Sequence, residues 1–206
     1  MNNKGKATPL PIYYNSGAGV PPSIIHYSIF IIHYSFAAIY CCIKLYFKIG
    51  DSFMFRVLFV CHGNICRSPM AEFILRDMVK KRGIADQFLI ASCATSTEEI
   101  WNGIGNPVYP PARKELAKHG ISCEGKRAVQ LKKSDYENYD YLICMDENNY
   151  RNMLRMLGGD PEGKISKLMN HTSRPGNVAD PWYTGDFETT YTDIVEGCEA
   201  LLKELI

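Results

Sequence analysis

An excess of either charge is the first thing this sequence lacks. Its 23 Lys and Arg stand against 22 Asp and Glu, a formal net charge of +1. No bulk field gathers nucleic acid or an anionic membrane, so neither is an expected partner on electrostatic grounds. Between Lys6 and Lys44 there is no charged residue at all. A second absence concerns metal. Cys61 and Cys66 form a C-x4-C pair with no convincing second ligand pair downstream, which argues against a zinc site. A third concerns disulfides: eight cysteines in 206 residues do not suit the small, stapled secreted scaffold. Reduced thiols and a cytoplasmic location are expected instead.

What is present divides the chain in two. Residues 1–53 carry net +3 and the remainder −2. Within the uncharged stretch, residues 23–43 are long enough for a membrane helix, and no small-residue cleavage site follows them. The same stretch holds the tandem repeat "IIHYSIF", "IIHYSFA" and is rich in His, Tyr and Ser. Met54 then opens "MFRVLFVCHGN". The expectation is a polypeptide starting at Met54, with residues 1–53 as upstream translated sequence; the competing expectation is a membrane anchor over 23–43.

The whole chain is 46% hydrophobic, enough for a sizeable core, and from Met54 onward the pattern alternates. Strands are expected at 55–60, 87–93, 139–146 and 164–169, and helices at 68–82, 110–119, 147–157 and 187–205. Ser68 and Asp186 are the expected caps of the first and last helices, and Pro69 suits the first turn. Alternation of this kind implies a doubly wound α/β fold, a four-stranded parallel sheet with helices on both faces. Ligands bind such sheets beyond the carboxyl ends of the strands.

"CHGNICRS", Cys61 to Ser68, occupies that position. Backbone N–H groups of a tight loop entering a helix form an anion cradle. Gly63 and Asn64 tolerate the backbone such a loop needs, and Arg67 offers a planar fork for two oxygens. The same positive field favours a thiolate at the start of the loop. Cys61 is thereby a candidate nucleophile facing an anion held by His62, Gly63, Asn64, Ile65, Cys66 and Ser68.

"VLFVCHGNICRSPMAEFIL" closely resembles the motif of low-molecular-weight protein tyrosine phosphatases. The resemblance continues through 94–121, 140–153 and 180–202, and covers none of residues 1–53. It implies a flavodoxin-like phosphatase fold and a cofactor-free, metal-free hydrolase acting on phosphotyrosine in proteins and on small aryl phosphates. In that reading Cys61 forms a phosphocysteine, and Arg67 with the loop amides stabilises the phosphoryl oxygens. Ser68 donates to the sulfur and Asn64 holds the loop's shape. Asp180, in "ADPWY", is the general acid, on a loop stiffened by Pro181. Trp101, Trp182 and Tyr183 are expected to flank the cleft, His119 to support the loop, and Cys66 to pair reversibly with an oxidised Cys61.

Neighbouring chemistries leave marks that are missing here. Thiol-linked arsenate reductases need two relay cysteines downstream, and residues 124–143 contain none. Protein-arginine phosphatases typically carry Thr where this chain has Ile65. A cysteine phosphocarrier or a phosphate-binding module would have no use for the Asp180-Pro181 acid.

Overall fold

The computed structural model describes residues 54–206. The expected anchor or upstream segment, 1–53, lies outside the described residues. Four parallel strands form the main sheet in the order β2-β1-β5-β6: β1 Phe55–Cys61, β2 Phe88–Ala94, β5 Tyr141–Cys144 and β6 Ile165–Lys167. A two-residue hairpin, β3 Ile100–Trp101 with β4 Ile104–Gly105, stands outside it. The long helices are α1 Arg67–Lys81, α2 Pro110–Lys118, α4 Glu147–Leu157 and α6 Phe187–Leu205. Two one-turn helices, α3 Asp135–Asn138 and α5 Pro181–Thr184, complete the set.

The unbroken apolar run of β1 follows from burial on both faces. Val57, Phe59 and Cys61 point into a core built with Met70, Ile74, Ile194 and Leu202, from α1 and α6. Leu58 and Val60 point the other way, against Leu142, Met153 and Leu157. Each such side chain contributes about 1.5–3 kcal/mol by leaving water, so β1 anchors both layers. Helix α6 comes very close to the turn after β6. A Cβ added to Gly197 would meet Leu168 Cγ at 2.4 Å, so only glycine fits there.

The chain leaves β1 for β2 on one side and returns to pair β5 on the other. This reversal opens a crevice at the carboxyl end of β1, where Cys61 ends the strand. Three expected boundaries shift. Helix α1 begins at Arg67, and Ser68 is not its cap because its hydroxyl is engaged elsewhere. The third strand is the shorter β5, since Asp146 caps α4 by accepting from Asn149 N–H at 2.7 Å. The fourth ends at Lys167, where a 3-10 turn over Leu168–His171 takes over.

Buried thiols leave a pH signature. Burial pushes Cys66 and Cys144 up to about 12, and raises Cys93 and Cys198 as well. In an unfolded chain these thiols ionise near 8.5. Below that pH both states are protonated and the fold keeps its full stability. As pH rises toward 12, the unfolded state loses protons that the fold retains, so stability falls by up to about 1.4 kcal/mol per pH unit per thiol. The melting temperature is therefore expected to decline above about pH 9, and less steeply in Cys144→Ala. An unchanged slope in that variant counts against the assignment.

Candidate active site

The loop from Cys61 to Ser68 joins the end of β1 to the start of α1 and is fixed from beneath. Asn64 has φ +55°, in the left-handed region that few non-glycine residues enter. Its carboxamide makes that conformation worthwhile. Nδ2 donates to Ser68 Oγ at 2.9 Å and to Ser92 Oγ at 2.8 Å, while Oδ1 accepts from Val129 N–H at 3.1 Å. Cys61 Sγ in turn receives Ser68 Oγ–H at 3.0 Å and Asn64 N–H at 3.3 Å. Donors converging on sulfur stabilise its anion.

Arg67 lies across the loop, 3% exposed. Nη1 meets Asp146 Oδ2 at 2.6 Å and Nη2 meets Asp180 Oδ2 at 2.6 Å. Burial opposes the guanidinium charge, but Cys61, Asp180 and Asp146 outweigh it, so Arg67 is held above its ordinary range. Cys66, beside it, is a neutral thiol: burial dominates, and Cys61 and Asp180 push the same way. Above these groups opens a cleft of about 260 Å³. Cys61, His62, Gly63, Ile65, Cys66 and Arg67 line it from the loop, with Asp180, Trp182 and Tyr183 from the α5 side.

A thiol receiving two hydrogen bonds, a buried fork and a carboxylate around one cleft suit the covalent transfer of a tetrahedral oxyanion. The family model for low molecular weight phosphotyrosine protein phosphatase matches residues 56–206. The chain belongs to this family. It is 39% identical over 154 residues to the low molecular weight protein-tyrosine-phosphatase YfkJ of Bacillus subtilis, covering 74% of this chain and 96% of YfkJ. The phosphatase of Gallus gallus is also 39% identical, over 153 residues, covering 72% and 94%. The crystal structure of YfkJ superposes with a TM-score of 0.69 at 38% identity, covering 74% of this chain and 94% of that one. The Streptococcus pyogenes enzyme SP-PTP gives 0.66 at 38% identity, with the same coverage.

Not every residue expected of a low-molecular-weight phosphatase site gathers at the cleft. Trp182 does, its ring against Tyr109 at 5.5 Å, and Tyr183 is 86% exposed at the rim. Trp101 does not line it; the tryptophan stands on β3 of the small hairpin, 72% exposed. Ile65 lines the cleft but is also packed with Cys66 and Ala128. His62 reaches outward to Glu98, Nε2 to Oε2 at 2.9 Å.

His119, expected to support the loop, stacks its ring on Tyr191 at 3.8 Å, and its Nε2 faces Glu115 at 3.5 Å. It follows the end of α2, where α6 supplies a flat aromatic partner. The support beneath the loop comes from residues the sequence did not single out. Ser92 donates to Glu72 Oε2 at 2.6 Å, and Lys126 Nζ meets that oxygen and Ser92 O at 2.9 Å each. Glu72 and Ser92 are almost fully buried. The signal available was a glutamate one turn after Ser68 and one turn before Arg76, with which it pairs at 2.8 Å, and one serine inside the strand "FLIASCA". A buried carboxylate demands such partners.

Proposed function

We propose that this chain hydrolyses phosphotyrosine in proteins, and small aryl phosphates, through a phosphocysteine on Cys61. The observation that carries this reading is the convergence of the Ser68 hydroxyl and the Asn64 amide on Cys61 Sγ beside the buried Arg67. A phosphoryl dianion competes with Asp180 for the guanidinium, freeing the carboxyl to face the leaving oxygen. Cys61 Sγ then attacks phosphorus and the P–O bond to the ring breaks. Protonated Asp180 supplies the proton the phenolate needs. Arg67 and the loop amides carry the charge on the equatorial oxygens, which is the dominant contribution in phosphoryl transfer. In the second half, water attacks phosphorus, Asp180 takes its proton, and the electron pair of the P–S bond returns to sulfur.

Residues 54–206 are the catalytic domain in this reading, and the six described cysteines, all free thiols, suit a reducing cytoplasm. Among the described residues no helix is long and apolar enough to cross a membrane. The chemistry calls on no metal or cofactor, because Arg67 and the loop supply the positive field.

Ile65 supports the aryl substrate over phosphoarginine, since an apolar wall suits a ring and leaves a guanidinium N–H unpaired. The full chain, assayed with EDTA present, is expected to favour a phosphotyrosine peptide over its phosphoarginine counterpart by about 10–200-fold, the range of apolar-pocket discrimination. Ile65→Thr should narrow that ratio. Preference for phosphoarginine in the wild type would replace the substrate; EDTA-sensitive turnover would replace the mechanism.

A further inference from the structure

We propose that the side-chain carbonyl of Asn149 positions the water that hydrolyses the phosphocysteine, an inference that rests on the covalent reading above. Asn149 lines the cleft and is 2% exposed. Its Oδ1 is the one buried side-chain oxygen or nitrogen among the described residues that no protein group satisfies. A buried acceptor left without a donor is costly, so a group kept this way in a cleft is matched to what the cleft binds.

The chemistry specifies the match. A phosphoryl dianion presents only acceptors, and an amide oxygen gains nothing from it. The attacking water brings two O–H donors. Its oxygen bonds to phosphorus, the P–S bond breaks, and Cys61 recovers the electron pair. One proton passes to the Asp180 carboxylate; the other stays on the oxygen that becomes part of inorganic phosphate. Until the transfer is complete, that second O–H needs an acceptor of its own.

The carboxylates around the cleft are already drawn into other pairs. Asp146 takes Arg67 Nη1 on one oxygen and Asn149 N–H on the other. Glu98 pairs with His62 and Glu99 with Asn106 Nδ2. Asn149 Oδ1 is also the right kind of acceptor. A neutral amide orients a water without competing for its proton, and it adds no repulsion to the phosphoryl oxygens. Its placement is firm, because the backbone of Asn149 closes the cap of α4 through Asp146, which itself grips Arg67. The water's acceptor and the phosphate's guanidinium are thereby fixed to one helical turn.

The cap uses the main chain of Asn149, so the side chain can be changed without removing it. Asn149→Ala deletes the acceptor and opens space; Asn149→Leu deletes it and fills the space. In rapid-mixing experiments with excess full-length enzyme and 32P-labelled aryl phosphate, label should enter both variants within about twofold of the wild-type rate. It should leave about tenfold more slowly, the scale of one lost hydrogen bond. At steady state kcat falls and kcat/KM holds. The inference is overturned if label leaves Asn149→Ala at the wild-type rate, or if entry slows as much as exit. Absence of any Cys61-bound label in the wild type would instead remove the covalent reading itself.

Discussion

Replacing Cys61 with serine is expected to reduce phosphotyrosine hydrolysis by at least ~10⁴-fold, to the level of what binding and electrostatics alone provide. The loss should be that large because the surroundings are built for sulfur. The Ser68 hydroxyl and the Asn64 amide both donate to Sγ, which favours an anion. A serine hydroxyl in that position stays protonated, because its neighbours there, the Ser68 hydroxyl and the Asn64 amide, are donors and not bases. Binding should survive, because Arg67 and the loop amides are untouched. The measurement is a pair: turnover of a phosphotyrosine peptide, and its affinity for the variant by calorimetry. Lost turnover with retained affinity meets the expectation. Turnover within tenfold of wild type would mean that phosphorus is attacked by something other than Cys61.

Asp180→Asn should lower kcat on phosphotyrosine by roughly 10²–10⁴-fold, the range of a general acid. Asparagine is the informative replacement because Asp180 also has a structural duty. Its Oδ1 accepts Trp182 N–H at 3.1 Å, capping the short helix that carries Trp182 and Tyr183 to the cleft. An amide oxygen keeps that cap, so the loss reports proton donation rather than a misplaced rim. The ion pair to Arg67 Nη2 is given up as well, which removes a competitor for the phosphoryl group and should leave substrate affinity equal or higher. With p-nitrophenyl phosphate, whose leaving group departs without help, the loss should be much smaller. Equal losses on both substrates would point to a role in holding the loop.

The loop of the proposed nucleophile was legible in the sequence because its parts are adjacent. Cys61, Asn64, Arg67 and Ser68 lie within eight residues, and the strand before them and helix after them have unambiguous periods. The four strands and four long helices were legible for the same reason. Ser68 shows the limit of local reading. A serine before a proline at a helix start looks like a cap, and its donation to Cys61 Sγ was implied by the family resemblance rather than by the local pattern. Asp146, Asn149, Ser92 and Lys126 were not legible as site residues. They come from three separate parts of the chain, Asp146 and Asn149 together at the start of α4, and their convergence depends on the strand order β2-β1-β5-β6, which periodicity does not give. The stacking of His119 on Tyr191 was not legible either, because a motif fixes sequence position whereas that contact is set by how α6 packs.

The place of β1 at the middle of the sheet has a bearing on how the protein is made. Chains emerge from the ribosome N-terminal end first, so Cys61 and Arg67 appear early. The strand that flanks β1 on its other side, β5, begins only at Tyr141, and Asp180 follows later still. The helix that covers α1, with Cys198 and Leu202 in the shared core, is the last element of all. A chain interrupted before residue 180 therefore holds the proposed nucleophile without its proposed acid, and biosynthesis completes the site only as it completes the fold.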